Sequence, residues 1–572
     1  MSNLKNIIQS INDKDFDKAL KLCKLYENKK NSDIIFNLKG VVYLLKNDLE
    51  MAENSFLNSI KINKSFLDPL KNLYTVYHKR KKINEMLSVA YELVGKENKN
   101  PSFYYKLAYA LEINKKYDEA IKNYENCNNL NGIEKKYALN NIGNIYLKKN
   151  RPKMSIKYFL DAFNLDQNDK IIINNLLSNY LELRDEKNSD FYYKKAEIID
   201  ANFNEFLFNK ASYLFFKNQI EEAVEILKSN ISQIKFLIKL IKIYFTIGKI
   251  EEARTLFKKN ENIINKNQDF FNFLGMRHLF EGNFELGWKY YEYRPSKIKN
   301  FLVEVKEWQG EDLSSKVIAV YNEQGLGDTI QFSKYIIPLL KISKKVIFVV
   351  PKKIQDIFKS DLNNLEIENN ETILNKKFDY KIALGSLLKY FYKNNTSNNE
   401  NLIRFDKYSI EKWKKEFDTT KMNIGIAWSG SFNGPNEPFR SIPLKSLKKI
   451  FSLDINFYNL QSEIWDRDLD YFKSSKIIDF SKHDLKEISS IIPNLDLVIS
   501  SDTSLLHLSA SLNHETWGIL NLSPDWRWGE FYKINPYNKV KLFRQKNFNN
   551  WNNVENEIFE SLSQKLDLLN EK

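Results

Sequence analysis

Pairs of small residues, twelve positions apart, recur along the first half of the chain. The pairs are Gly40 and Ala52, Ala108 and Ala120, Gly143 and Ser155, Ala211 and Ala223, and Gly275 and Gly287. Ala52 and Ala120 are 68 residues apart, and so are Ser155 and Ala223, which is twice a period of 34. Because a small residue on each of two antiparallel helices lets their backbones approach, this spacing predicts a stack of helix pairs.

Aromatic residues and short polar turns accompany these small residues. Tyr43, Tyr109 and Tyr146 lie on predicted first helices, and Phe56 and Phe159 lie on second helices. Turns such as KNDLE, NKKYDE and KNQIEE join the two helices of a unit. The pattern resembles tetratricopeptide repeats over roughly residues 1–294, with an irregular helical bundle as the alternative. The resemblance implies a curved α-solenoid whose concave face binds peptides or proteins.

Length, charge and cysteine content exclude several classes of protein. A chain of 572 residues is too long for one core, so several domains are expected. The net charge of +14 comes mostly from scattered Lys, so we expect no nucleic-acid partner, although a basic surface suits an anionic small substrate. Cys23 and Cys127 cannot form a disulfide framework, and the five separated histidines form no metal motif. Without a signal peptide or a long apolar stretch, a cytoplasmic protein with no membrane span is expected.

After Trp288 the pattern changes to apolar runs separated by helical segments. The predicted strands are 316–322, 345–350, 380–386, 423–430, 455–461, 476–480, 495–500 and 515–522. The alternation predicts parallel sheets covered on both faces, here two Rossmann-like halves. Helices are expected over 329–341 and 402–417, and the Asn-rich segments 361–377 and 394–400 are interpreted as loops.

Three domains follow from these patterns. We predict an α-solenoid over 1–294, a first Rossmann-like domain over 295–415 and a second over 416–572. A ligand of such a pair is expected in the cleft at the carboxyl ends of the strands. The polar residues that directly follow strands are therefore the candidates for a functional site.

The first candidate is YNEQGLGDTIQF, residues 321–332, where a strand leads through a glycine-rich turn into a helix. Gly325 and Gly327 allow positive φ angles and close backbone approach, and a helix N-terminus can hold an anion. The pattern is GxGD rather than the GxGxxG of dinucleotide-binding turns. On local grounds Asp328 is either the helix N-cap or a catalytic carboxylate.

The second candidate is the loop WSGSFNGPNEPFRSIP, residues 428–443. Ser429 and Gly430 could donate hydroxyl and amide hydrogens to a phosphate, and Arg440 could clamp it with its guanidinium group. An ordinary surface loop with a solvated arginine is the alternative interpretation.

The third candidate follows a buried strand in DLVISSDTSLLH, residues 496–507. Thr503 and Ser504 fall in the first helical turn, where hydroxyl and N–H donors can hold a pyrophosphate. His507 lies four residues after Thr503 on the same helix face, although a structural histidine is the alternative. Asp502 would repel phosphate if it pointed inward, so capping or hydroxyl binding suits it better.

Taken in order, several segments resemble the heptosyltransferase-like glycosyltransferases of GT-B fold, in particular the bacterial branch with an N-terminal tetratricopeptide region. The segments are GWKYYEYR (287–294), EQGLGDTIQFSKY (323–335), GIAWSG (425–430), FRSIPL (439–444), NLQ (459–461), NLDLVISSDTSLLHLSASLN (494–513), PDWRWGE (524–530) and KLFRQ (541–545). The resemblance implies an inverting, metal-independent transfer of a sugar from a nucleotide-activated donor, without a cofactor.

The same resemblance implies roles for individual residues. Asp328 matches the general base, and Thr503, Ser504 and His507 match the segment that binds the donor phosphates. Arg440 stands where the family has a Lys, and a Gly is usual at the position of Ser504. Gln461 stands where an acidic residue often contacts the nucleotide.

A solenoid in front of a transferase resembles O-linked GlcNAc transferase in layout. The predicted function is therefore glycosyl transfer to a protein Ser or Thr hydroxyl that the helical repeats hold. The alternative is an interaction scaffold with an inactive transferase-like domain. A nicotinamide-dependent oxidoreductase is disfavoured, because the GxGxxG turn and the acidic residue that binds ribose are missing.

Overall fold

The structure is a computed structural model, and it divides into two compact units, 1–226 and 227–572. The described residues are 2–27, 31–130, 132–149, 151–265, 267–298, 305–358, 361–392, 402–404, 407–432, 439–529 and 537–570. The bounds 1–294, 295–415 and 416–572 rest on changes in sequence pattern and stay predictions. None of the helices in the described ranges is long and apolar enough to cross a membrane.

Unit 1 is a helical repeat. Its helices are α1 Ser2–Asn12, α2 Phe16–Tyr26, α3 Ser32–Leu45, α4 Leu49–Ile62, α5 Leu67–Lys79, α6 Ile83–Lys96, α7 Pro101–Ile113, α8 Tyr117–Asn129, α9 Lys135–Lys148, α10 Pro152–Leu165, α11 Lys170–Glu182, α12 Glu186–Asp200, α13 Asn204–Phe216 and α14 Ile220–Ser229, which crosses into unit 2. From α3 to α13, every second helix begins 34 or 35 residues after the previous one. The period predicted from the small residues is confirmed.

The turn within most helix pairs uses one residue in the left-handed region of φ. These residues are Lys14, Asn47, Lys81, Lys115, Arg184 and Asn218. Asp15 and Asp48 then cap the second helix by accepting a backbone N–H. The units near Met86 and Ser189, which are weak in sequence, form the complete pairs α5–α6 and α11–α12.

Glycine and aromatic residues pack as the spacing predicts. A Cβ added to Gly40 would lie 2.5 Å from the Phe56 ring, and one added to Gly143 would lie 2.6 Å from the Phe159 ring. Hydrogen bonds between side-chain amides also join consecutive first helices. Asn209 of α13, for example, donates to Asn174 of α11 at 3.0 Å. The helix pairs are therefore held close by glycine and linked along the stack by asparagine.

Unit 2 contains further helices followed by alternating strands and helices. Its elements are α15 Ile234–Thr246, α16 Ile250–Lys259, α17 Glu261–Ile264, α18 Gln268–Phe280, α19 Phe284–Tyr291, α20 Pro295–Ile298, β1 Val317–Tyr321, α21 Leu326–Phe332, α22 Ile336–Ile342, β2 Lys345–Val349, β3 Leu365–Glu368, β4 Tyr380–Ala383, α23 Leu387–Phe391, α24 Lys407–Trp413, β5 Met422–Ala427, β6 Ile455–Asn459, α25 Asp466–Ser474, β7 Ile478–Asp479, α26 Leu485–Ile491, β8 Leu497–Ser501, α27 Ser504–Ser511, β9 Thr516–Leu520, β10 Val540–Arg544 and α28 Asn552–Asn570.

The strands form two parallel sheets. The first has the order β3-β2-β1-β4, and the second has the order β10-β9-β8-β5-β6-β7. Read from β7, the second sheet has the 3-2-1-4-5-6 order of a doubly wound domain, with its switch point between β5 and β8. The switch point of the first sheet lies between β1 and β4. The prediction of two parallel-sheet halves is confirmed at this level.

Several predicted boundaries were wrong. The segment 361–377, interpreted as a loop, contains the edge strand β3, whose LEIE sequence is hidden among asparagines that disfavour strands. The strand predicted over 476–480 shortens to the exposed pair of residues in β7. The helix predicted over 329–341 begins earlier, at Leu326, and a 3-10 turn over Ser333–Tyr335 separates α21 from α22. The helix predicted over 402–417 begins only at Lys407, and the predicted loop 394–400 lies outside the described residues.

The last helix pair, α18–α19, is built into the core of the first sheet. Trp288 and Tyr291 of α19 belong to the same buried apolar cluster as Ile318 and Val320 of β1. The ring of Trp526, which follows β9, lies 5.7 Å from Trp288. These helices therefore contact both sheets of unit 2.

Arg294, just after α19, is almost fully buried and joins this helix to the first switch point. Its guanidinium group lies 2.8 Å from the carboxylate of Glu323 and donates to the Ser386 hydroxyl at 2.8 Å. Glu323 follows β1 and Ser386 follows β4, so Arg294 spans the two strands. The Gln324 amide also donates to the Tyr291 hydroxyl at 2.5 Å.

Candidate active site

The turns after β1, β5, β8 and β9 meet at the carboxyl edges of the two sheets. We call this region the junction and define it by Asp328, Asp502, His507, Asp525 and Arg527. Helix α21 of the first sheet packs directly on α27 of the second. The first and third sequence candidates, 321–332 and 496–507, are therefore brought together.

Asp328 lies in the first turn of α21, but it is not the N-cap. Gly325 holds that position, and its N–H donates to Asp328 Oδ2 at 3.0 Å, so Asp328 closes the turn from position N3. The alternative that Asp328 is the helix N-cap was wrong, because the helix begins at Leu326, three residues earlier than expected.

The two glycines of this turn do not use positive φ. Gly325 has a φ of −69°, and Gly327 is absent from the residues with positive φ. Gly327 instead permits the contact between the helices, since a Cβ there would lie 3.3 Å from Ser504 Cα and 3.0 Å from the His507 ring. The close approach expected at Gly327 therefore occurs against α27.

Arg527 joins Asp328 to a second carboxylate. Its Nη1 forms an ion pair with Asp328 Oδ1, and its Nε lies 3.0 Å from Asp525 Oδ1. The Asp328 side chain is 19% exposed and that of Asp525 is 21% exposed, so both carboxylates have some access to solvent. One guanidinium group thus links a carboxylate of the first sheet to one of the second.

The second-sheet carboxylates titrate in opposite directions. Burial, together with the negative charge of Asp502, raises the pKa of Asp525 to about 7. Burial alone would also raise the pKa of Asp502, but the hydrogen bond and charge of His507, with a smaller effect of Arg440, outweigh it and lower that pKa. Two neighbouring carboxylates with separated pKa values are typical of acid–base sites.

His507 is buried in a chain of polar groups. Its Nε2 lies 3.4 Å from Asp502 Oδ1, and its Nδ1 shares a 2.9 Å hydrogen bond with the Tyr537 hydroxyl. Its ring also stacks on Trp528 at a centroid distance of 5.7 Å. Both ring nitrogens therefore have protein partners, and the histidine helps to fix the Asp502 carboxylate.

Thr503 is the N-cap of α27. Its hydroxyl accepts the Leu505 N–H at 3.3 Å and bonds to the Ser500 hydroxyl at 3.0 Å. Ser504 is the first helical residue, half-buried beneath Gly327. The start of α27 therefore lies against the α21 turn.

Ser429 and Gly430 follow β5, and neighbouring side chains already hold their amides. Gln461 Oε1 accepts the Ser429 N–H at 3.1 Å, and Gln461 Nε2 donates to the Ser429 hydroxyl at 3.0 Å. The Gly430 N–H donates to the Ser441 hydroxyl at 3.1 Å. Gln461 is buried and braces this turn.

Arg440 is half-buried at the second-sheet side of the junction. Its positive charge contributes to lowering the pKa of Asp502 and partly offsets the raised pKa of Asp525. The loop residues 433–438 before it lie outside the described residues. The binding and catalytic roles of these sequence candidates stay predictions.

Several residues of the site were not identified from the sequence. Asp525 and Arg527 stand in PDWRWGE, a segment that carries part of the family resemblance but matches no local motif, and Tyr537 has no local sequence signal. Glu323 and Gln324 had no assigned role, and they bind the end of α19. Among the described residues, no three His, Cys, Asp or Glu side chains are grouped as a metal site.

Comparison with known proteins identifies the helical repeat. Residues 101–132 and 137–169, which span α7–α10, match the tetratricopeptide repeat. Protein FlbA of Caulobacter vibrioides is 21% identical over 304 residues. The match covers 46% of this chain and 50% of FlbA, so the chain spans about half the length of that relative.

Solved structures resemble the chain only weakly. PilF of Pseudomonas aeruginosa matches with a TM-score of 0.32 and 14% identity, over 36% of this chain and 94% of PilF. MamA of Desulfovibrio magneticus RS-1 matches with a TM-score of 0.27 and 17% identity, over 29% and 94% of the two chains. These scores are too low to support an inference. The sequence match and the observed helix pairs identify the N-terminal region as a tetratricopeptide-type helical repeat, which supports a role in protein interaction.

Proposed function

We propose that unit 2 contains a glycosyltransferase of GT-B type, which moves a sugar from a nucleotide-activated donor to a hydroxyl group with inversion and without a metal. One observation carries the proposal. The switch point of a doubly wound sheet bears Ser429, Asp502 and Thr503, and it faces Asp328 from a second parallel sheet. Doubly wound sheets bind nucleotides at this place.

The junction has the charges that a departing nucleoside diphosphate needs. Thr503 and the N-terminal end of α27 offer a hydroxyl and a helix dipole. Arg440 and Arg527 add two guanidinium groups from the second sheet, and fixed cations can stabilise the leaving group without a metal ion.

In the proposed step, the acceptor hydroxyl oxygen attacks the anomeric carbon. The bond from that carbon to the phosphate oxygen breaks, and its electron pair leaves with the nucleoside diphosphate. The hydroxyl proton passes to Asp328. A bound diphosphate would compete with Asp328 for Arg527, and this would release Asp328 Oδ1 to accept the proton.

The acceptor in this proposal is a Ser or Thr hydroxyl of a protein that the helical repeat binds. The support is the tetratricopeptide repeat in α7–α10, since stacked repeats present an extended binding face. A cytoplasmic location, nucleotide sugar as substrate and the lack of any cofactor remain part of the same proposal.

Binding and transfer can be tested separately. Calorimetry with UDP, ADP, GDP and CMP measures donor binding by the full chain. Incubation with a panel of nucleotide sugars and candidate acceptor proteins should release free nucleotide and add a sugar mass to Ser or Thr. Absence of both nucleotide release and any mass change would count against the enzyme.

Asp328→Asn tests the proposed base. The amide oxygen of Asn can still accept the Gly325 N–H, so the turn is kept, while the proton acceptor and the ion pair with Arg527 are lost. We expect transfer to fall by about 10²- to 10⁴-fold with nucleotide binding retained. Transfer at the wild-type rate would show that Asp328 has only a structural role.

The rival function is an interaction scaffold with an inactive transferase-like region. It is favoured by the contacts that already occupy Asp328 and Ser429: the Gly325 N–H and Arg527 at the two Asp328 oxygens, and Gln461 at the Ser429 N–H. This function predicts no nucleotide binding in the same calorimetric experiment.

A further inference from the structure

Lys334 lies beside the junction and has no acidic partner among the described residues. It lies in the 3-10 turn after α21 and is half-buried. Its ammonium group lies 5.4 Å from the Tyr335 ring centroid and 6.0 Å from that of Tyr537. Within the described part of the chain, it donates no hydrogen bond and pairs with no carboxylate. Burial lowers the pKa of Lys334 to about 8.

The two aromatic contacts do not compensate for this burial. The distance of 5.4 Å lies within the usual range of a cation–π interaction, and that of 6.0 Å lies at its limit. A partner that stabilised the charged ammonium group would prevent its pKa from falling below the ordinary value of lysine. The pKa of Lys334 is nevertheless lowered. Packing against Tyr335 and Tyr537 therefore does not explain why a charged ammonium group is half-buried at this position.

The position of Lys334 connects it to the start of α27. The hydroxyl of Tyr537 is hydrogen-bonded to His507, which lies one turn after Thr503. The charge of Arg527 acts on Tyr537 as well, so a cation of each sheet lies near this aromatic ring. The carboxylates of the junction are already paired, with His507 or with Arg527.

We propose that Lys334 binds the diphosphate of the nucleotide donor from the first-sheet side. This inference rests on the proposed function. A compact ammonium group suits phosphate oxygens as a point charge, and the anion would supply the partner that Lys334 does not find among the described residues.

Acetylation of lysines, followed by mass spectrometry, tests the proposal on the full chain. An amine with a lowered pKa reacts fast near pH 7.5, and a bound anion should protect it. We expect inorganic pyrophosphate and at least one nucleoside diphosphate to slow acetylation of Lys334 by tenfold or more. Lys242 is the internal control, because it is also half-buried over aromatic rings with a lowered pKa, yet it lies on α15.

Affinity gives a second measurement. Lys334→Met should weaken binding of the nucleoside diphosphate by about 10- to 100-fold, the usual value of a hydrogen bond to a charged group. Lys334→Arg should retain most of the affinity, and Lys242→Met should retain all of it. Because Lys334→Met removes an uncompensated half-buried charge, we expect it to fold.

The outcomes separate this inference from the proposed function. Calorimetric binding of a nucleotide without protection of Lys334, or equal affinities of Lys334→Met and Lys242→Met, would overturn the inference and leave donor binding intact. If pyrophosphate protects Lys334 and no nucleotide binds, Lys334 belongs to an anion site, and a nucleotide sugar is not its ligand. If neither ligand binds, both proposals fail.

Discussion

At the scale of single residues, the junction is a set of carboxylates that differ in their surroundings. Asp328 is paired with Arg527 and closes a helix turn, whereas Asp502 is held by His507. Asp525 also contacts Arg527, yet burial and the neighbouring Asp502 charge raise its pKa to about 7. These differences lead to a prediction about pH.

The pKa of Asp525 predicts how stability depends on pH. Burial and the Asp502 charge raise it to about 7 in the folded protein, from about 3.9 in the unfolded chain. The stability that protonated Asp525 contributes is therefore fully present below about pH 4 and is lost as pH rises to about 7. Between pH 5 and pH 8, we expect wild type to lose about 2–3 kcal/mol relative to Asp525→Asn.

Chemical denaturation of both proteins at pH 5, 6, 7 and 8 checks this expectation. The difference between them isolates Asp525, because the other titrating groups are common to both. A difference that stays constant across this range would show that Asp525 is ionised throughout.

At the scale of elements, local spacing predicted the helical repeat well and the sheets less completely. Gly40, Gly143 and Gly275 lie at the helix crossings expected from their period. These crossings were predictable because the repeat is visible in the local sequence itself. Strand β3 was missed, because edge strands can be short and polar. The contact of Asp328 with Arg527 was not predictable, since about 200 residues separate them and the fold alone brings them together.

The glycine spacing leads to a test of close helix packing. A Cβ at Gly275 would lie 2.4 Å from the backbone nitrogen of Tyr291, so α18 and α19 could not remain as close together as they are. We expect Gly275→Ala to destabilise unit 2 by about 1–3 kcal/mol, as overpacking does. Scanning calorimetry measures the change.

Gly95→Ala is the matched control. Gly95 lies in α6 with no atom within 4 Å of an added Cβ. Because alanine favours a helix over glycine, this change should stabilise by about 0.5–1 kcal/mol. Equal effects of the two substitutions would mean that helix propensity rather than crossing distance governs both sites.

At the scale of the whole molecule, the change in sequence pattern and the limit of compact packing fall at different places. The pattern changes near residue 294, whereas the compact unit begins at residue 227. Helices α18 and α19 have repeat-like sequence, yet Trp288 and Tyr291 pack with β1 and Trp526. The end of the helical repeat therefore serves as part of the core of the two-sheet region.

This difference predicts how fragments behave. A fragment of residues 227–572 keeps the Arg294–Glu323 ion pair and the aromatic packing around Trp526, whereas 295–572 loses both. Removing one partner of a buried ion pair costs about 3–5 kcal/mol, before the lost apolar contacts are counted. We therefore expect 227–572 to unfold cooperatively at the midpoint that unit 2 shows in the full chain, and 295–572 to be unfolded or aggregated.

Tryptophan fluorescence reports this comparison without interference from unit 1. All nine tryptophans of the chain lie in unit 2, at positions 288, 308, 413, 428, 465, 517, 526, 528 and 551. Fluorescence of the full chain therefore follows unit 2, and circular dichroism follows the helices of both units. If 295–572 unfolded at the same midpoint as 227–572, α18 and α19 would be dispensable and the boundary at residue 294 would be the physical one. The absence of any unfolding transition in 295–572 would show that the two-sheet region needs the last helix pair to fold.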